Sequence, residues 1–429
     1  MSTRPRVLAL AYMVSPKRGS EYAVAWNYIQ AMRSHCDLTV LYGCAGPHMG
    51  ETSDFETATF VDCSADGPVA LHFVPQSPLA RWLNALNRRG VLPHVFYLAY
   101  NIWHRAALTE ARRLTAEEPF DLIHFVGPIG YREPGYLWRL PLPYVWGPIG
   151  GVTSVPWRFY SVVPFKGRLV LLARAFTNLL QLRVSRRIDA ALKRADFLFA
   201  ATTGNQAVIE RLKGVKSTYL AENGIEGTIS LNADKFPARP IRIAWIGSLE
   251  ARKGLVLLLN ALAGLRDVHQ VQVDIVGDGP MGEQLKRLAA TSGIGGRVVW
   301  HGRVSRPRVL ELLDQAHLHV VTGLNEGNPT SVWEALARSV PVMALDHCGM
   351  HDVVQPPYGI PVPVIDPGKT TQAITDALEE LIAAPERLEA MARSCAVACD
   401  RFRVEHRPAV LLDAYQKAVD RRRESGASR

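Results

Sequence analysis

Between Leu318 and Leu345 the chain reads LHVVTGLNEGNPTSVWEALARSVPVMAL, and few folds accept that order of residues. Leu318 to Gly323 has the composition of a strand, and Asn325 to Thr330 is rich in turn formers. Ser331 to Ser339 carries apolar residues at helical spacing, and Val340 to Leu345 is a second strand. Strand, helix and strand in so short a span make a βαβ unit, and with it a parallel sheet. Glu326 and Glu334 stand at either end of the loop-to-helix junction. The amides from Thr330 to Trp333 point out of a helix N-terminus, where partial positive charge suits a phosphate. Glu334 has two readings: a ligand carboxylate, or the last member of a Ser331-Val332-Trp333-Glu334 capping box.

The same alternation runs along the whole chain. Strands are expected at Val7–Tyr12, Leu38–Tyr42, Leu71–Val74, Asp121–Val126, Tyr144–Trp146 and Phe197–Ala201, with a helix over Glu21–Arg33. After a turn-rich stretch at Ala221-Glu222-Asn223-Gly224, a second series follows at Ile241–Ile246, Val271–Val276, Val298–Trp300, Leu318–Val321 and Val340–Leu345. Since 429 residues exceed what one hydrophobic core usually holds, two doubly wound α/β domains are expected, 1–223 and 224–401. A final helix is expected within 402–429.

Apolar residues at 48% and charged ones at 21% are ordinary for a globular protein. The longest apolar run near the start, Val7 to Val14, is too short for a membrane span, and no other run reaches about 18 residues. Six cysteines are scattered without a C-x-x-C pair, which fits a reducing cytoplasm. A formal charge of +9 favours anionic partners such as nucleotide diphosphates or an acidic membrane surface, and no nucleic-acid recognition motif accompanies it.

Glu326 to Glu334 resembles the E-x7-E signature of the family-four retaining glycosyltransferases (glycosyl transferases group 1). The resemblance implies a GT-B fold: two Rossmann-like domains facing across a cleft, the first taking the acceptor and the second a nucleotide-sugar, with a C-terminal helix crossing back to the first. It implies that Glu326 lies by the donor sugar and that Glu334 holds the ribose, with Asn328, Pro329, Thr330 and Ser331 between them at the donor. Gly247-Ser248-Leu249-Glu250-Ala251-Arg252-Lys253-Gly254 is similar to the family's G-R-L-x-x-x-K-G motif, in which a basic pair grips the diphosphate. Lys253 matches, and Ser248 replaces the usual Arg, so either one cation is lost from the pattern or Arg252 supplies it. Gly277-Asp278-Gly279-Pro280 is like the family's G-D-G-P turn, its aspartate read as structural. Arg303 and Val304, after the next strand, match the region lining the base.

In the first domain Asp121-Leu122-Ile123-His124 resembles the family's D-x-x-H strand end, which makes His124 a catalytic candidate beside Glu326 and Lys253; Val126 stands where a second His is common. Gly19, Ser20, Glu21, Arg132, Gly150 and Gly151 resemble acceptor-facing positions. His347, Cys348, His351 and Asp352, and the pair His317 and His319, lack the remaining ligands of a zinc site, so no metal cofactor is expected. The implied reaction is retaining transfer of a sugar from a nucleotide-sugar to a glycan or lipid-linked acceptor, in cell-surface or exopolysaccharide synthesis. The alternatives are a nucleotide-sugar epimerase on the same scaffold and a non-catalytic nucleotide-sugar-binding partner. Phe165 to Arg194 combines apolar residues at helical spacing with eight arginines and lysines, which suits either a core-packed helix or one lying on an anionic membrane from the cytoplasmic side.

Overall fold

A computed structural model describes residues 4–15, 21–44, 69–89 and 95–427. Gly19 and Ser20 lie outside the described residues. Contacts divide the rest into two compact units. The first holds the residues up to Val152, Leu179–Asn223 and the segment from Val404; the second holds Thr153–Asn178 and Gly224–Arg403.

The first unit is built on β1 (Arg6–Ala11), β2 (Asp37–Tyr42), β3 (Val69–Phe73), β4 (Leu122–Gly127), β5 (Tyr144–Ile149), β6 (Phe197–Ala200) and β7 (Thr218–Tyr219). All pair in parallel, in the order β3-β2-β1-β4-β5-β6-β7. Because successive strand side chains face opposite ways, β1 feeds two cores at once. Val7, Ala9 and Ala11 join a cluster with Tyr28, Ile29 and Tyr415, while Leu8, Leu10 and Tyr12 join one with Tyr100 and Trp103. The helix Arg407–Ala427 closes the first of these through Leu411, Ala414, Tyr415 and Ala418. It starts later than the expected 402 because Pro408 suits only a helix's first turn; short 3₁₀ turns precede it.

The second unit carries β8 (Ile241–Ile246), β9 (Val271–Val276), β10 (Val298–Gly302), β11 (Leu318–Val321), β12 (Val342–Leu345) and β13 (Gly359–Val362). The order is β10-β9-β8-β11-β12-β13, again parallel throughout. The strand order reverses between β8 and β11, and it is there, beyond the carboxyl ends, that an open sheet of this kind offers its crevice. The first unit has the corresponding point between β1 and β4.

Residues 153–178, placed by the sequence reading with the first domain, pack in the second: Val155, Phe159 and Val163 enter its core with Ile243, Trp245 and Leu318. The expected helical run 165–194 is two helices, Phe165–Val184 and Arg186–Arg194. Ser185 separates them, its hydroxyl accepting the Ile188 amide as an N-cap. No helix among the described residues is long and apolar enough to cross a membrane.

Candidate functional site

The second unit's crevice is made of two loops, one after β8 and one after β11, stitched backbone to backbone. The Leu324 amide donates to Arg252 O (2.8 Å), and the Thr322 hydroxyl donates to Lys253 O (2.9 Å) while accepting from Trp245 Nε1 (3.0 Å). Gly254, at φ +63°, brings its backbone so near Thr322 that a Cβ would stand 2.2 Å from the Thr322 oxygen. These ties aim the Lys253 side chain at the Glu326 carboxylate, with Nζ 2.7 Å from Oε1. Arg252 follows at 3.8 Å from the same oxygen and is also bonded to Glu250 (2.7 Å). Glu326 is buried, and the Lys253 contact is charge to charge, outside hydrogen-bond angles. The buried carboxylate thus has two cations within ion-pairing distance, Arg252 being shared with Glu250.

Glu326 is itself held in place by its neighbours. Its carbonyl accepts the Gly349 amide (3.0 Å), an approach so close that a Cβ on Gly349 would meet Gly327 O at 1.5 Å. Asn325, one residue earlier, bonds Thr153 through both amide atoms and accepts from the Cys348 thiol at 3.0 Å. Sequence reasoning missed this junction, since Thr153 belongs to a distant stretch and no motif names it.

The helix after Glu326 begins at Thr330, with Pro329 as its N-cap and no side-chain cap bond. The capping-box reading of Glu334 is therefore overturned. Its carboxylate instead accepts from Arg306 Nε at 2.8 Å, and burial raises its pKa against the pull of Arg306. The Ser331 hydroxyl points inward to His319 Nε2 (3.1 Å), whose Nδ1 donates to Ala244 O (3.0 Å), so only the Ser331 main chain is left for a ligand. Asn328 Oδ1 accepts from Trp333 Nε1, while Asn328 Nδ2 is buried without a partner among the described residues.

The G-D-G-P turn braces the same crevice: the Gly247 amide donates to Val276 O (2.9 Å), and the Leu249 amide to Asp278 O (3.0 Å). Asp278 Oδ1 accepts its neighbour's amide at Gly279 (2.7 Å), a structural role. Ser248 and Val304 are half-buried at the rim, and Arg303 is exposed.

His124 is corrected. It is buried with both ring nitrogens engaged: Nε2 donates to Gly147 O (2.9 Å), and Nδ1 accepts from Tyr415 O–H (2.8 Å). Burial lowers its pKa to about 4, so it is a neutral peg joining β4, the residues of β5 and the last helix. Two other groups of the first unit, both carboxyls, have raised pKa values. Glu21, which accepts the Ile129 amide, is pushed up to about 7 by burial. Glu222 is pushed up to about 8 by burial and then by Glu21's charge, with Arg407 opposing. Glu222 Oε1 lies against Gly150, and exposed Gly151 follows. Arg132 stacks on Tyr97, 5.4 Å from the ring centroid. Sequence reasoning missed Glu222 because nothing local marks it.

The histidines weighed as metal ligands serve the fold: His317 bridges the Arg242 amide and Lys235 O, His347 donates to Ser154 O, and His351 pairs with Asp346. Among the described residues no group of three or more His, Cys, Asp or Glu is arranged to hold a metal.

Residues 230–396 match the model of the family described as glycosyl transferases group 1. The matched span is less than half of the chain and lies wholly within the second unit. Lys253, Glu326 and Glu334 fall within the matched span. Alpha-D-kanosaminyltransferase of Streptomyces kanamyceticus is 29% identical over 159 residues, which are 37% of this chain and 40% of that protein. The chain thus matches less than half the length of that curated relative. Two solved structures share the fold across nearly all of both chains. Anabaena Alr3699/HepE in complex with UDP and glucose has a TM-score of 0.57 at 15% identity, covering 96% of this chain and 100% of its own. The apo lipopolysaccharide outer core galactosyltransferase WaaB has a TM-score of 0.60 at 14% identity, covering 98% and 99%. The fold is GT-B, two Rossmann-like domains each with a parallel sheet.

Proposed function

We propose that the protein is a retaining glycosyltransferase that moves a sugar from a nucleotide-sugar to a glycan or lipid-linked acceptor in cell-surface polysaccharide synthesis, without a resident metal. One observation carries the reading: within the family-matching unit, Lys253 and Glu326 meet at 2.7 Å where the strand order reverses. A diphosphate leaving group gains negative charge as the glycosidic bond breaks, and fixed cations in a part-buried site stabilise that charge. Lys253 and Arg252 take this role. The helix at Thr330–Leu336 is under two turns long, so its amides assist and the cations dominate. Glu326 orients Lys253 beforehand and faces the sugar, Asn328 Nδ2 offers a donor to a ligand oxygen, and Glu334, positioned by Arg306, binds the ribose hydroxyls. A fold relative captured with UDP and glucose supports this class of donor. Glu21, Arg132, Gly150 and Gly151 serve the acceptor.

Incubation with UDP-, GDP- and ADP-sugars plus a lipid extract tests the reading. Labelled sugar in the lipid fraction is the expected result. An altered free sugar, or binding with no transfer, overturns it.

The helix Phe165–Val184 supports a place at the inner face of a membrane. Phe165 and Phe176 are 70% and 67% exposed, Leu169, Val170, Leu172 and Val184 are exposed beside them, and no acidic residue occurs from 165 to 188. An apolar ridge flanked by exposed Arg174, Arg183 and Arg186 suits an anionic bilayer, each cation contributing about 1 kcal/mol at low salt. Arg187 is not among them, being paired with Glu133 at 2.7 Å. Flotation with anionic vesicles is expected to recover the wild type at low salt and not Arg174→Gln/Phe176→Ser/Arg183→Gln. Equal recovery of both would refute the docking.

A further inference from the structure

The chain leaving β4 runs through Arg132, Glu133 and Tyr136 into a 3₁₀ turn at Leu137–Arg139. Tyr136 is buried, yet three guanidinium groups approach its ring: Arg139 at 4.9 Å from the centroid, Arg187 at 5.4 Å and Arg105 at 5.9 Å. The ring is locked by its hydroxyl, which donates to Asn101 Oδ1 (3.1 Å) and accepts from Arg187 (3.1 Å). Arg187 spends its charge on Glu133, and Asn101 reaches the same carboxylate at 3.5 Å. Arg132 lies over Tyr97, and its NH1 is 3.4 Å from the Tyr97 hydroxyl. Tyr97, Asn101 and Arg105 recur every fourth residue on the helix Phe96–Glu117 and so share one face.

Among the described residues no carboxylate comes within ion-pairing distance of Arg105, Arg132 or Arg139. Arg105 and Arg139 are exposed, and Arg132 is half-buried. Three uncompensated cations crowded round two tyrosines repel one another, and stacking on the rings offsets only part of that. An anion with several oxygens reverses the sign of the balance. Guanidinium groups suit it because each presents planar paired donors, and three of them offer more donors than the two oxygens of one carboxylate can use.

We propose that Arg105, Arg132 and Arg139 form a phosphoryl-binding site that takes a phosphate group carried by the acceptor. The identity of that group as part of the acceptor rests on the transferase reading; the binding of a phosphoryl group there does not. Its source is either a soluble phosphorylated sugar or a lipid-linked phosphate. The test is calorimetric binding of glucose 6-phosphate, with glucose as the uncharged control, and flotation with phosphatidylcholine vesicles with and without a prenyl phosphate. Wild type and Lys253→Ala are expected to bind one phosphorylated probe alike, and Arg105→Gln/Arg132→Gln/Arg139→Gln at least tenfold more weakly. The double variant of the two exposed arginines, Arg105→Gln/Arg139→Gln, guards against misfolding: with wild-type thermal unfolding it should still lose most of the binding. Retention of only the soluble probe assigns the soluble source, and recruitment only by prenyl phosphate assigns the lipid. Binding that survives the arginine changes, binding abolished by Lys253→Ala, or no binding of either probe overturns the site. A wild type that binds a probe yet transfers no sugar counts against the transferase reading alone.

Discussion

The two carboxyl-end crevices solve the problem of charge in opposite ways. In the second unit each acid already has its base: Lys253 and Arg252 face Glu326, and Arg306 faces Glu334. In the first unit burial raises two carboxyls, Glu21 and Glu222, with Arg407 opposing at the second, while among the described residues Arg105, Arg132 and Arg139 have no carboxylate within ion-pairing distance. Paired acids and bases in the second unit leave little net charge there, whereas the first unit's raised carboxyls make its stability respond to pH.

The largest test of this contrast is Lys253→Ala. Loss of a cation that acts mainly in the transition state should lower kcat and kcat/KM together by about 10²-fold or more, or about 3 kcal/mol. Thermal unfolding should also fall, because the buried Glu326 loses its nearest counter-charge. Adding Glu326→Gln should recover the melting temperature and not the activity. Should the single variant keep wild-type kinetics, the pre-paired pocket is not the donor site.

His124→Leu comes next and probes the fold rather than the reaction. It leaves Gly147 O and Tyr415 O–H without their buried partner, at a cost of about 2 kcal/mol in denaturant unfolding, with kcat per folded molecule retained. A collapse of kcat at normal stability would restore His124 to the chemistry.

Glu334→Gln keeps the side chain's shape and removes its charge. Nucleotide binding should weaken about tenfold, about 1.4 kcal/mol, at a nearly normal melting temperature. Tight binding by this variant would leave the Arg306 pair with a purely structural purpose.

The smallest effect is the pH response of the first unit. Both carboxyls are raised above the ordinary 4.5, so the folded state holds more protons than the unfolded one from about pH 4.5 upward. Their contribution to stability is complete below 4.5 and is lost as the pH rises through about 7 to 8. Since both groups are only half-buried by surface area, the slope should amount to about 1 kcal/mol. Glu21→Gln and Glu222→Gln should each flatten it in unfolding curves taken across that range.

The same contrast explains what the sequence revealed. Every strand of the second unit except β13 was legible, as was the placing of Lys253 and Glu326 in one crevice, because the loops that bring these two together are short and carry their own glycines. Gly359-Ile360-Pro361-Val362 escaped because it is brief and holds a proline, tolerable on that edge strand. In the first unit His124 stood out as a motif and proved to be a peg. Glu222 lay in a stretch that read only as a boundary. Partners chosen by long-range packing leave no local spacing to read, and Thr153 against Asn325 is the same case in the second unit.

The helix Arg407–Ala427 also has a consequence for how the protein is made. Its Tyr415 supplies the hydroxyl that engages both His124 and Tyr28, and its apolar face completes one of the first unit's two cores. A ribosome therefore releases the residues that open the first sheet long before those that seal it, while the second unit's stretches both emerge in between. The unit begun first is finished last. During synthesis its open face, lined by Tyr28, Ile29 and Met32, is the surface that chaperones would have to shield. Dissecting the protein at Asn223 would leave each half short of a piece, the first without its closing helix and the second without residues 153–178.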